Sequence, residues 1–504
     1  MSRVWLAPAV ALLMGAADPW IDASSQDLNG YVRALSLDIR GVVPTEDELS
    51  GIEEAGHIDE EMLDTWLASP EFEAVVVGKH QELFWNKLAI NLLNTRRLVN
   101  RDGIVTGIPR SRYTRGETQT ECGDFEADVD ALNRPLTWET NPDGSRAEGW
   151  VWVTPYWDPS EPVKVCAYDA QLTEVSASGV ACDTEAGHEE GDCGCGPNLQ
   201  WCFHNSEENT IEEGITGDLD RRVRAMLESG TSYTEMLTGA SIHVNGPAAH
   251  FYKYIAQFST DDYESPVPVA SLPDIDYTDQ TYVPVPLEDH HDGVFTSPGW
   301  LLRHQTNRGR ANRFYSAFLC SEFIPVEEEL SGLSGNEVPS PDLQMRPGCL
   351  SCHARLEPWA AYWGRWGEAA AVYRSPDAYP DYDEDCAACA VAGTNCSDFC
   401  DDNYLVEPIH ADELPYLGWL NTYAFLEGDK SAYPDLGPLG WVVKTKETGE
   451  FDRCAVTRAS DWLLNWDPDA DDVDAWASEF AVDDDYRSMI KRIVMSSPYW
   501  GGAE

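Results

Sequence analysis

Arg346-Pro347-Gly348-Cys349-Leu350-Ser351-Cys352-His353-Ala354-Arg355-Leu356-Glu357-Pro358-Trp359 is the stretch on which the reading of this chain turns. Two thiols three positions apart, followed directly by an imidazole, are what covalent haem attachment requires. The thiols add to the two vinyl groups on one porphyrin edge, and the next residue is carried under the ring, where its imidazole nitrogen binds iron. Competing readings are chance, a disulfide, or half of a zinc site. Cys386-Ala387-Ala388-Cys389 is a C-x-x-C pair without a following histidine, so His353 is what discriminates. The spacing predicts one covalently attached haem c on Cys349 and Cys352, with His353 as the proximal iron ligand.

Working outward, the expected fold class is mainly α, with several packed helical segments around this haem site and Cys/Trp-rich irregular insertions stabilised by disulfides. The chain has 504 residues, 43% of them hydrophobic, with 19 Trp, which is enough to build real cores despite a net charge of −54. Such a surface repels nucleic acid and anionic lipid and favours a basic docking surface on any redox partner. Met1-Ser2-Arg3, the apolar run Val4 to Met14 and Gly15-Ala16-Ala17 describe a cleavable export signal over 1–17. No later run is apolar for about 20 residues, so no membrane span is expected. Subtracting the two haem thiols from 14 cysteines leaves 12, an even number that could form six disulfides in an oxidising compartment. A periplasmic or secreted location follows.

Taken in order, residues 18–107 read as an N-terminal helical domain, with Gly41 closing one helix and Thr45-x-x-Glu48 boxing the start of the next. Residues 108–215 form a Cys/Trp-rich insertion in which Cys122, Cys166, Cys182, Cys193, Cys195 and Cys202 suggest three disulfides. A metal held by Cys193-Gly194-Cys195 with His188 and His204 is the lesser reading. Helical pattern resumes at Asp218 within 216–260, where Gly230 closes one helix and Asn245 opens another. A linker and helical segment covers 261–345, and the haem-attachment segment covers 346–375. There Trp359, Tyr362, Trp363 and Trp366 line one face, suited to covering a macrocycle or to filling a core. Region 376–445 is Cys-rich, with Cys386, Cys389, Cys396 and Cys400 read as two disulfides, and 446–504 is a C-terminal helical segment. Asp467-Pro468-Asp469 superficially resembles a calcium loop, but helix capping accounts for it better.

Several of these segments occur together in one known order. Leu35 to Gly41 with Pro44-Thr45, Leu67 to Pro70, Leu237-Thr238 with Asn245 to Tyr252, Gly293 to Asn307, the Cys349–His353 box, Phe451 to Cys454 and Ser497-Pro498 resemble the planctomycete-type cytochrome c family. These are large exported proteins assembled from domains of unknown function. The resemblance implies haem binding and export but no established reaction. The chain departs from it at Glu357-Pro358, where members often carry Asp. For the distal iron ligand His250 is preferred and His304 is next, with His410, Met345, Met226 and Met236 also in view. Arg346, Arg355 and Arg365 could pair the haem propionates. A filled distal position suits outer-sphere electron transfer within or to an extracytoplasmic oxidoreductase system; an open one suits a peroxidase-like enzyme. The reading outside this class is a disulfide-stabilised binding or scaffold protein that uses the aromatic insertion.

Overall fold

Capping chemistry sets the first helices. Thr45 Oγ1 accepts the Glu48 N–H while Glu48 Oε2 accepts the Thr45 N–H at 2.7 Å, so the capping box starts helix Glu46–Ala55. The preceding helix, Leu28–Arg40, ends where Gly41 turns left-handed at φ +70° and donates to the Leu37 carbonyl. In this computed structural model the described residues are 28–56, 58–108, 122–142, 144, 146–258, 265–323, 340–423, 425–426, 428–463 and 468–496. The expected export signal over 1–17 lies outside them.

The chain divides into two units, Met1–Gly78 with Gly449–Glu504, and Lys79–Thr448. The first is helical. Leu28–Arg40, Glu46–Ala55 and Glu60–Leu67 are joined by Glu450–Leu463, Ala470–Asp483 and Tyr486–Ser496 from the other end of the sequence. In the last helix Tyr486, Met489, Ile490, Ile493 and Val494 are buried, the expected apolar stripe at helical spacing. Trp462 Nε1 donates to the Asp38 carbonyl at 2.9 Å and Lys491 reaches Asp64 at 2.6 Å, so the terminal helices are tied to the initial ones. Asp469 caps helix Ala470–Asp483 through the Asp472 N–H, as capping predicts; Asp467 lies outside the described residues.

Glu48 is the electrostatic centre of this unit. Its Oε1 accepts from Arg40 at 2.9 Å and from Trp66 Nε1 at 2.7 Å, with the Arg40 guanidinium 4.2 Å above the Trp66 ring. Burial alone would raise its pKa, but hydrogen bonds from Arg40, the Thr45 N–H and Trp66 outweigh that and hold it at about 2, against an ordinary 4.5. A carboxyl with a depressed folded pKa stabilises above its unfolded value and loses that contribution on acidification. Wild-type protein should therefore lose thermal stability between pH 4.5 and 2 more steeply than Glu48→Gln, as followed by circular dichroism melts. Equal slopes would show that Glu48 is not the group involved.

The second unit contains a sheet absent from the sequence reading: its hairpin, Arg97–Arg101 and Ile104–Ile108, falls at the end of the stretch 18–107 expected to be helical, and its other strands fall in the 108–215 insertion. Its strand order is Trp150–Val153, Val163–Cys166, Ile104–Ile108, Arg97–Arg101 and Phe203–His204. The hairpin 97–108 and the pair 150–166 are antiparallel, while Ile104↔Lys164 and Arg97↔Phe203 pair in parallel. These strands have five residues or fewer, too short to establish a period. Leu98, Val105, Val151, Val165 and Leu199 make the core, together with the cystine Cys195–Cys202. Cys122–Cys166 and Cys182–Cys193 complete the three expected disulfides.

Helix Glu208–Ser229 then runs through this unit and ends at Gly230, also left-handed at φ +70°. It packs on helices Gly246–Ile255, Pro298–Arg303 and Tyr233–Thr238. Gly214 is the point of closest approach, since a Cβ there would lie 2.7 Å from Asn245 Oδ1, the cap of helix Gly246–Ile255. Asp218, fully buried on this helix, holds Arg222 Nε at 2.9 Å and the His243 N–H at 2.6 Å. Helices Asn307–Phe318 and Leu350–Ala360 pack on each other and carry the candidate site. Cys386–Cys400 and Cys389–Cys396 pin a smaller core around Tyr379, Tyr404 and Leu420, as the two-disulfide reading expects. Helix is the dominant element, but the mainly α description leaves out the sheet.

Candidate functional site

The described residues include all fourteen cysteines, and twelve of them are in disulfides. The two that are not are Cys349 and Cys352, both partly exposed. Gly348, left-handed at φ +80°, turns the chain so that the Cys349 and Leu350 N–H groups donate to the Arg346 carbonyl, each at 3.0 Å. Cys349 sits at the N-cap of helix Leu350–Ala360, and its carbonyl accepts the Cys352 and His353 N–H groups at 3.3 and 2.9 Å. Helical spacing puts the two sulfurs on one side of the first turn, with His353 one turn on from Cys349.

His353 is held in one orientation. Its Nδ1 meets Glu357 Oε1 at 2.5 Å, an i, i+4 pair on one helix. Glu357 in turn receives a two-pronged guanidinium from Arg308, Nε to Oε1 at 2.7 Å and Nη2 to Oε2 at 3.0 Å. Those hydrogen bonds are the main cause of a raised Arg308 pKa. Arg308 is placed by the first turn of helix Asn307–Phe318, capped when Thr306 Oγ1 accepts the Gly309 N–H at 3.0 Å. An ion-paired carboxylate only accepts, so Nδ1 is the donor in this pair, and in the neutral ring the lone pair is then on Nε2. Nε2 makes no hydrogen bond among the described residues. A metal-binding imidazole is typically oriented this way, by a carboxylate at its other nitrogen. Two free thiols on one helical turn and an imidazole with its coordinating nitrogen available fit a covalently attached haem.

A cavity of about 450 Å³ borders this arrangement on the Glu357 and Arg308 side, with Glu368, Arg374, Leu405 and Phe425 also in its wall. Neither thiol nor His353 lines it.

The other sequence candidates are placed as follows. His250 stacks on Tyr156 at 3.9 Å and meets the edge of Tyr277; its Nε2 is buried without a hydrogen-bond partner, and burial lowers its pKa to about 4. His304 is buried between Trp300 and Trp85, its Nε2 at 3.3 Å from the Phe84 carbonyl, and burial lowers its pKa to about 3. Its Nε2 is therefore engaged. His410 caps a turn through the Asp412 N–H, Met226 and Met236 are core residues, and Met345 is 73% exposed. Arg365 is buried and committed to Asp435, Asp381 and the Tyr379 carbonyl. Arg355 reaches Tyr315 Oη, while the buried Arg346 Nε has no hydrogen-bond partner. With Cys193 and Cys195 each in a disulfide, their sulfurs are not available as zinc ligands beside His188 and His204.

The aromatic face downstream of the box divides. Trp359 lies between Tyr315 at 4.5 Å and Trp441 at 4.9 Å. Trp363 and Trp366 are fully buried; Trp363 donates to the Phe295 carbonyl at 2.8 Å, and Tyr362 stacks on Tyr433. These three serve core packing. Neither the His353–Glu357 nor the Glu357–Arg308 contact is in the sequence reading, although the four-residue interval from His353 to Glu357 is a visible signal for the first.

No protein-family model, curated protein or solved structure matches this chain.

Proposed function

We propose that this chain carries one haem c on Cys349 and Cys352, with His353 as an axial ligand, and works as an exported electron-transfer protein. The observation that supports it best is selective pairing: twelve cysteines are bonded to one another, and the two left over are those of the C-x-x-C-H box. The Glu357 carboxylate behind His353 and the sequence resemblance to planctomycete-type cytochromes c support it further. Bound haem supplies a one-electron ferric/ferrous couple. Around it the chain supplies two thioether positions, an imidazole fixed by Glu357, and a strongly acidic surface that favours a basic redox partner. Of the two distal candidates, His250 is the one with an unengaged Nε2. The many disulfides suit an oxidising compartment, and among the described residues no helix is long and apolar enough to cross a membrane.

Expression in a host that attaches haem to exported C-x-x-C-H proteins tests this reading. Purified protein should show a c-type α-band on reduction and keep its haem through acid-acetone extraction. Colourless protein from a host that matures a control cytochrome c would overturn it.

A further inference from the structure

Resting on the haem reading above, we propose that Glu357 and Arg308 set the potential of that haem by acting on His353 in opposite directions. His353, Glu357 and Arg308 form a relay in which one carboxylate oxygen, Glu357 Oε1, is shared by the imidazole Nδ1 at 2.5 Å and the guanidinium Nε at 2.7 Å. The carboxylate draws the Nδ1 proton toward itself, which makes the ring a stronger donor at Nε2. A stronger donor and a nearby negative charge both favour the ferric over the ferrous state, and so lower the potential. Arg308 competes for the same oxygen and places a positive charge beside it, which weakens both effects.

The His353–Glu357 half of the relay is partly shielded, whereas the Arg308 side chain is 49% exposed and acts through more solvent screening, which is why the smaller shift is expected from it. The side chains of His353 and Glu357 are 22% and 18% exposed, so their interaction is screened less than that of a surface pair. Glu357 also has no other side-chain donor among the described residues: Oε1 is shared by the imidazole and the guanidinium, and Oε2 is held by the guanidinium alone. If the pair were only a clamp between helices Asn307–Phe318 and Leu350–Ala360, breaking it from either end would have the same consequence. As a tuning pair, its two ends have opposite consequences.

The test is a spectroelectrochemical titration of holoprotein, in which ferric haem takes one electron per molecule from the electrode through a small-molecule mediator. Glu357→Gln keeps an acceptor oxygen for Nδ1 but removes the charge. It should shift the ferric/ferrous equilibrium about tenfold toward ferrous, about 59 mV for a one-electron couple. Arg308→Gln removes the competing cation and should shift the same equilibrium at least about twofold toward ferric, the sign set by the electrostatics of the pair. The ferrous iron–histidine stretch, read by resonance Raman on any five-coordinate fraction, should fall in Glu357→Gln and rise in Arg308→Gln. Shifts of the same sign, or no shift in either variant, overturn the proposal and leave haem attachment intact. Wild-type protein without covalent haem overturns both. If Glu357→Gln does not retain haem, Arg308→Gln decides alone: a lowered potential supports the relay, and an unchanged or raised one overturns it.

Discussion

Alanine at both Cys349 and Cys352 should remove all acid-stable haem while leaving the polypeptide as stable as before. The two parts of this expectation rest on separate facts. Covalent attachment requires both sulfurs for two thioethers, and the described residues offer no other unpaired thiol to replace them. Stability should change by no more than about 0.5 kcal/mol, because both side chains are partly exposed and neither is bonded to another cysteine. The informative comparison is Cys195→Ala. That change breaks the buried Cys195–Cys202 cystine in the sheet core and should cost about 2–5 kcal/mol. Both are measured by urea unfolding of haem-free protein from a host lacking the attachment machinery, so that haem does not contribute to the reference. Persistence of acid-resistant haem in the double variant would remove Cys349 and Cys352 from the attachment site. Unfolding as severe as that of Cys195→Ala would give the two thiols a structural role instead.

Local signals in this sequence were legible because they depend on residues a few positions apart. Thr45 and Glu48 box a helix start, Asn245 caps helix Gly246–Ile255 through the Ala248 N–H, and Tyr486 to Val494 bury one face, all as spacing alone suggests. The cystine arithmetic succeeded for a similar reason, since setting aside the box left an even number of thiols. Other features depend on partners distant in sequence. Helix Glu208–Ser229 begins ten residues before its pattern becomes visible at Asp218, because Thr210, Gly214, Thr216 and Gly217 are weak helix formers. Packing of Gly214 on Asn245 and Ala248 holds that turn instead. The sheet was illegible because its longest strands have five residues and its parallel pairs join segments about 60 and 106 positions apart. Helices Leu28–Arg40 and Glu450–Leu463 share a unit for reasons that no periodicity records. At the candidate site the thiols and His353 were legible. Arg308 was not, because one arginine in an acidic chain reads as a solvated charge until its carboxylate partner is known.

Arg310 makes the same point: Arg310→Met strips several buried carbonyls of their donor and should cost about 3 kcal/mol, as measured by a lower urea midpoint at unchanged slope. The residue has no exposed surface and no carboxylate within ion-pair distance among the described residues; its guanidinium is held almost entirely by carbonyl groups. Nε donates to the His304 carbonyl at 2.9 Å, Nη1 to Asn307 Oδ1 at 2.7 Å and the Trp366 carbonyl at 3.3 Å, and Nη2 to the Gly367 and Ala370 carbonyls at 2.8 and 3.2 Å. Burial draws its pKa down to about 9, so the group is still a cation at neutral pH. Methionine fills similar volume but leaves those acceptors without donors, and a buried acceptor stripped of its partner costs about 1–3 kcal/mol. Arg310→Lys should recover little, because an ammonium has three donors on one nitrogen and cannot span the same set of carbonyls. The position is consequential for the candidate site. The guanidinium ties residues 366–370 to the start of helix Asn307–Phe318, where Asn307 N–H also reaches Glu368 and the next residue is the arginine that grips Glu357. A loss below about 1 kcal/mol in Arg310→Met would mean that those carbonyls find other donors once the guanidinium is gone, and that the frame behind His353 is held elsewhere.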